Sequence, residues 1–179
     1  MGVFPAISGD GVYKNRGGCT AIAGKGPIPS GKYWIVARPV GGIGSQAITH
    51  AKDLLSNLLA DQPTGHDVWF ALYRDDGLID DWTWVKGVKR GNFRLHPKTG
   101  AGVSYGCITL TSVSDFQRVR HALLHTPTIA AGSSGILAYG WIEVVTIGNT
   151  CPQTAESASI YRVVPRDYAF CPTISDAAR

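Results

Sequence analysis

A chain of 179 residues has the length of one domain that can bury its own core. Apolar residues at 44%, charged residues at only 17%, 22 glycines and 10 prolines describe short strands joined by many turns, and exclude a disordered or fibrous chain. The formal net charge of +4 is modest, no basic run interleaves with aromatics, and no stretch reaches the roughly 18 apolar residues of a membrane span, so nucleic-acid binding and a transmembrane segment are set aside.

The opening "MGVFPAISGDGVYKNRGG" lacks the basic start and apolar run of a secretory signal, and Ala6 stands where a myristoylation signal needs Ser or Thr. The expectation is a chain made in the cytoplasm without a signal peptide. "GPIPSGKYWIVARP" then predicts a turn feeding a strand over Tyr33–Val36, stopped by Pro39. From Ser45 to Ala60, Ile48, Ala51, Leu54, Leu55, Leu58 and Leu59 recur at helical spacing and predict a helix packed on a sheet. "VWFALYR" (68–74) and "WTWV" (82–85) flank "DDGLIDD", whose Asp76-Gly77 reads as the turn of a β-hairpin. Trp82 and Trp84 share one face of the second arm, which suits either core packing or a sugar-stacking platform.

In "NFRLH" (92–96) the alternation turns Phe93 and Leu95 to the core and Asn92, Arg94 and His96 to the other side. "CITLT" predicts a further short strand. A helix follows it, with Ser112 or Ser114 as N-cap and Val113, Phe116, Val119 and Leu123 as its apolar stripe. "GILAYGWIEVVTI" (135–147) reads as the last long strand, and 148–179 as a polar tail whose one strand-like piece is "YRVV". The sum is a mainly β chain with two packed helices (α+β).

Cys19, Cys107, Cys151 and Cys171 form no C-x-x-C pair and have no histidine at zinc-finger spacing, so no metal site is expected. Cys151 and Cys171 flank the tail and would close a disulfide in an oxidising compartment; cysteines packed as small hydrophobes are the alternative.

Gly102 to Gly106 formally matches G-x-S-x-G, but a nucleophile elbow needs a helix after the serine, and here the β-like "CITLT" follows Ser104. Cys107 fits better. It begins a strand after Gly106, His96 ends the neighbouring strand, and a turn between them can bring thiol and imidazole within reach. Backbone N–H groups around Tyr105, Gly106 and Cys107 would supply an oxyanion hole. Arg94, on the same strand face as His96, is the candidate for gripping a substrate carboxylate.

The run "HPKTGAGVSYGCITL", His-Pro and then, after six intervening residues, Ser-Tyr-Gly-Cys-Ile-Thr-Leu, resembles the active-site signature of the L,D-transpeptidases of the YkuD-like fold. With "GPIPSGKYWIVARP" and "FALYRDDGLIDDWTWV" it resembles more closely the type VI secretion L,D-transpeptidase effectors (Tlde family), over residues 1 to 147. The resemblance implies a YkuD-like β-sandwich or barrel over 1–147, with Cys107 as nucleophile, His96 as base, and Ser104 and Gly106 shaping the oxyanion loop. Tyr105 departs from the histidine usual there, and Pro97 from a small residue. It further implies peptidoglycan tetrapeptide stems as substrate, no cofactor, an immunity protein and a secretion-machinery component as partners, and action in the periplasm of a target bacterium. Two rivals stay open: a wall- or protein-binding module of the same fold, and a sortase-like transpeptidase. Against the latter, Arg118 and Arg120 fall in a predicted helix rather than on the strand of the cysteine.

Overall fold

The computed structural model describes residues 2–37, 69–99 and 104–152. Nine strands run through them: β1 (Ala6–Ile7), β2 (Gly31–Ala37), β3 (Phe70–Arg74), β4 (Trp82–Val85), β5 (Val88–Gly91), β6 (Arg94–Pro97), β7 (Ile108–Leu110), β8 (Ile129–Ala130) and β9 (Leu137–Val144). One α-helix, α1 (Val113–Leu124), lies among the described residues, and two 3-10 turns (Gly11–Tyr13 and Gly17–Cys19) follow β1. The described residues are therefore mainly β with one helix; the other expected helix, over 45–60, falls outside them, as does "YRVV".

Seven strands form one sheet in the order β1-β7-β6-β3-β2-β9-β8, antiparallel throughout except between β6 and β7, which run parallel. Its principal apolar face collects Tyr33, Ile35, Phe70, Leu72, Phe93, Leu95 and Leu110 with Tyr139 and, from α1, Phe116. Ser112 caps α1 by accepting from the Asp115 N–H at 3.2 Å. Val119 and Leu123 pack on the core as expected, but Val113, the first residue of the helix, is exposed. On the other face Trp34, Val36, Ala71, Tyr73, Ala131 and Ala138 make a second, smaller cluster.

The expected hairpin of 68–74 with 82–85 is corrected. Both edges of β3 are taken, by β2 and β6, so β4 pairs with β5 instead in a separate two-stranded ribbon. The turn is Lys86-Gly87, with φ of 50° and 78°, a two-residue loop with both central residues left-handed as a type I′ turn requires. Asp76, read as a turn residue, instead accepts from Thr83 Oγ1 at 2.5 Å, folding the 75–81 connection onto the ribbon. One side of the ribbon buries Thr83 and Arg90; the other exposes Trp82 and Trp84, so these tryptophans are not core. Lys89 extends its ammonium over the Trp82 ring, 4.3 Å from its centre.

The disulfide also differs from expectation: Cys151 pairs with Cys19, 132 residues away, rather than with Cys171. The reason is local packing. Gly17 and Gly18 lie flush against residues 146–150, so close that a Cβ on Gly17 would sit 2.8 Å from the Gly148 carbonyl oxygen. Two glycines without side chains thus bring Cys19 down onto the chain leaving β9 and anchor the start of the 148–179 segment.

Candidate active site

The parallel pairing of β6 and β7 builds the site. It sets Leu95 level with Ile108, His96 with Thr109 and Pro97 with Leu110. Side chains alternate along a strand, so Arg94 and His96 share a face with Cys107 and Thr109, while Leu95 and Leu110 enter the core. The antiparallel pairing of β3, with Phe70 level with Leu95, brings Trp69 beside His96 on the same side. There the indole and imidazole stack at 4.2 Å between centroids and 20° between planes.

His96 is held at both nitrogens. Nδ1 lies 2.8 Å from the Pro97 carbonyl oxygen, which only accepts, so Nδ1 carries the proton. Nε2 is then the acceptor, and the Thr109 hydroxyl donates to it at 3.1 Å. A buried imidazole fixed in this tautomer, with its basic nitrogen turned toward β7, is suited to receive a proton there.

Cys107 stands outside the disulfide, buried directly before β7. Its Sγ donates toward the Asn92 carbonyl oxygen at 3.7 Å, a carbonyl aimed there because Asn92 takes a left-handed φ of 57° at the corner between β5 and β6. Ser104 is buried, and its hydroxyl donates to the Cys107 carbonyl oxygen at 2.7 Å, which closes the turn. With that hydroxyl engaged and β7 following, the G-x-S-x-G reading has no elbow to rest on. Tyr105 points outward, 65% exposed.

Gly106 takes φ of +96°, which favours glycine, and its carbonyl accepts from Ser8 Oγ at 3.3 Å. In a trans peptide C=O and N–H point opposite ways, so this bond directs the Cys107 N–H away from Ser8. The Ser8 hydroxyl is itself held by the Ile28 N–H at 2.8 Å.

Arg94 reaches the same region, but its fork is filled. Nη1 and Nη2 donate to the two Asp81 carboxylate oxygens at 2.6 and 2.7 Å, and Nη1 also donates to the Phe93 carbonyl at 2.8 Å. Burial opposes its charge most, yet the hydrogen bond and charge of Asp81, with Tyr73 and Cys107 beyond, raise it above the ordinary arginine value. The guanidinium is thus fully charged and felt at Cys107.

Of the six sequence candidates, the structure sets Arg94, His96 and Cys107 on one strand face and Ser104 and Gly106 in the turn before Cys107, whereas Tyr105 points away from it. Sequence reasoning missed Trp69, Asp81 and Thr109. Thr109 was legible as the residue two beyond Cys107 on its strand; the others depend on the register of β3 and on the β4–β5 ribbon. Among the described residues no group of three His, Cys, Asp or Glu side chains is arranged to hold a metal, and no helix is long and apolar enough to cross a membrane.

A family model described as the Tlde1 domain matches residues 2–133. No curated protein matches the chain, and no solved structure does.

Proposed function

The chain belongs to the Tlde1 domain family, the type VI secretion L,D-transpeptidase effectors that act on peptidoglycan, and from that premise we propose that it is a cysteine L,D-transpeptidase and L,D-carboxypeptidase of tetrapeptide stems with a YkuD-like fold. The observation that carries this reading is the parallel register that puts a Nδ1-protonated His96 on one strand face with Cys107.

A free thiol is only a few per cent ionised at neutral pH and needs a base. In the proposed reaction His96 Nε2 takes the Cys107 proton, and the thiolate adds to the carbonyl of the L-centre of the third stem residue. The Cys107 N–H, with neighbouring turn amides, receives the oxyanion. As the tetrahedral intermediate collapses the C–N bond to the terminal D-alanine breaks, and the imidazolium returns its proton to the departing amine. The remaining thioester is resolved by water, giving a trimmed tripeptide, or by an amine, giving exchange or a cross-link. Arg94, tied to Asp81, serves here as fixed positive charge beside the thiolate rather than as a carboxylate grip. Stacking on Trp69 limits the directions in which the His96 ring can turn.

Removing D-alanine deprives a wall of donor stems, and that substrate lies in the periplasm. An immunity protein and a secretion-machinery component belong to the same proposal. Mass spectrometry of disaccharide tetrapeptide incubated with the protein and with Cys107→Ala tests it. Loss of D-alanine with the wild type alone is the expected result. No change with either protein, even when a D-amino acid acceptor is added, points to a binding module; cleavage at another peptide bond points to a sortase-like reaction.

A further inference from the structure

Arg90 is the most deeply buried charge described in the protein. Although it lies on a two-stranded ribbon, its residue is only 3% exposed. Nη1 donates to the Thr20 carbonyl, and Nη2 donates to the Gly26 carbonyl at 2.8 Å and is 3.4 Å from that of Pro27. Its guanidinium carbon lies 5.5 Å from the centre of the Phe93 ring. Among the described residues the ion pairs are Lys32–Asp75, Arg94–Asp81 and Arg118–Asp115, so no carboxylate there neutralises Arg90. Desolvation by burial accordingly lowers its pKa, with the Tyr33 phenol opposing. Burying a charge away from any counter-ion is unfavourable, and here backbone carbonyls compensate it only in part, which an apolar side chain would not require.

What Arg90 touches suggests the reason. A Cβ on Gly106 would fall 2.7 Å from Arg90 Nη2, 3.0 Å from Phe93 Cε1 and 3.2 Å from the Gly26 carbonyl oxygen. The guanidinium is therefore packed directly behind the residue that precedes the nucleophile. It holds the 20–27 segment with one edge and backs the turn with the other. On the far side of that segment Ile28 orients Ser8, which fixes the Gly106 carbonyl. These contacts converge on Gly106: Ser8 holds the carbonyl of the peptide that carries the Cys107 N–H, and Arg90 backs the α-carbon from which that peptide departs.

We propose that Arg90 is a positioning residue for acyl transfer, acting through Gly106: it fixes the direction of the Cys107 N–H and places positive charge without a counter-ion behind the turn where thiolate and oxyanion form. The part that concerns turnover rests on the function proposed above, whereas the part that concerns the thiol does not. A lone arginine among "VKGVKRG" carries no sequence signal for this role; only the ribbon's fold over the 20–27 segment makes it visible.

Other charged or titratable groups facing the thiol from the described elements are Arg94 and His96 of β6, with Asp81 held on Arg94. Substitutions at Arg90 leave all three in place. The test uses the full-length protein with Arg90→Met and Arg90→Lys, each checked for folding by near-UV circular dichroism and thermal unfolding. Two quantities are then read: the pH midpoint of Cys107 alkylation by iodoacetamide, and kcat and KM on the tetrapeptide.

Arg90→Met is expected to raise the alkylation midpoint by about 0.5–1 pH unit, because a positive charge that favours thiolate is gone. It should also lower kcat by about tenfold or more at nearly constant KM, as for a weakened oxyanion donor. Arg90→Lys keeps the charge but not the fork, so its midpoint should stay near wild type while kcat falls. A folded Arg90→Met with wild-type midpoint and kcat overturns the proposal. Should Arg90→Met fail to fold, Arg90→Lys decides alone, and wild-type kcat in that variant overturns it. If the wild type does not act on tetrapeptides at all, the function falls while a shifted midpoint in Arg90→Met still upholds the effect of Arg90 on the thiol.

Discussion

The two faces of β6 and β7 are built on opposite terms. Toward the core, Leu95 and Leu110 satisfy their surroundings by shape and hydrophobicity alone. Toward the site, His96, Cys107 and Thr109 are buried to a similar degree and Arg94 is partly buried, and their polar atoms meet named partners: Asp81 and the Phe93 carbonyl, the Pro97 carbonyl, the Asn92 carbonyl and one another. The apolar face contributes stability in proportion to area removed from water. The polar face gains little net stability from its hydrogen bonds but would lose much if any partner were withdrawn. The lesson is that one pair of strands separates stability from chemistry by side-chain parity. Substitutions on the two faces should therefore fail in different ways.

The largest expected effect on stability comes from the apolar face. Leu95→Ala should destabilise the protein by about 2–5 kcal/mol, the range for emptying a buried leucine site. The fraction that remains folded should keep the wild-type rate of Cys107 alkylation. Denaturant unfolding and labelling kinetics on the same sample check both halves. A folded Leu95→Ala protein with strongly altered labelling would mean the faces are coupled after all.

The disulfide comes next. Reduction, or the double change Cys19→Ala with Cys151→Ala, releases a crosslink that spans 132 residues and should cost about 2–4 kcal/mol. Because Cys19 directly precedes the segment whose carbonyls hold Arg90, this loss should reach the polar face as well. Thermal unfolding with and without reductant measures the first part. Alkylation of the reduced double variant, where Cys107 remains available, measures the second.

The same parity explains what could be read from the sequence. Alternation in "NFRLH" correctly separated Phe93 and Leu95 from Arg94 and His96, because period two needs no partner strand. Order and spacing pair Cys107 with His96 as candidates, and the register of β6 and β7 sets them on one strand face. The hairpin was misplaced because two turn signals compete: Asp76-Gly77 is the stronger dipeptide, but pairing is decided by which edges of β3 remain open, and none does. Lys86-Gly87 with its flanking valines was the true two-residue turn. Nearness in sequence offers Cys171 as a partner for Cys151 or leaves both as packed thiols, whereas the close approach that selects Cys19 depends on Gly17 and Gly18 meeting residues 146–150 in space. Trp69, Asp81 and Arg90 were out of reach for the same reason, since each joins the site only through a register or a ribbon that no local pattern encodes.

The smallest effect sharpens the comparison most. Thr109→Val preserves volume and branching while removing the hydroxyl that donates to His96 Nε2. On the apolar face such a swap would be close to neutral or favourable. Here it withdraws the partner of a buried acceptor, so the expected loss is about 1–3 kcal/mol of stability. The direction of the activity change separates two roles for the hydroxyl. If it mainly orients the ring, the valine variant should lose about tenfold in kcat/KM, since Nε2 then loses the donor that aims it. If it mainly competes with the thiol for Nε2, the variant should label faster at Cys107 than wild type, because the base is relieved of its other donor. Orientation is the expected outcome: a ring stacked on Trp69 can still rock in the plane of the stack, and the Thr109 hydroxyl opposes that motion at Nε2. Thr109→Ser, which restores the hydroxyl, should recover most of the lost activity. Failure of the serine to rescue would assign the defect to packing beside β7 and would place Thr109 with the apolar face in its energetics.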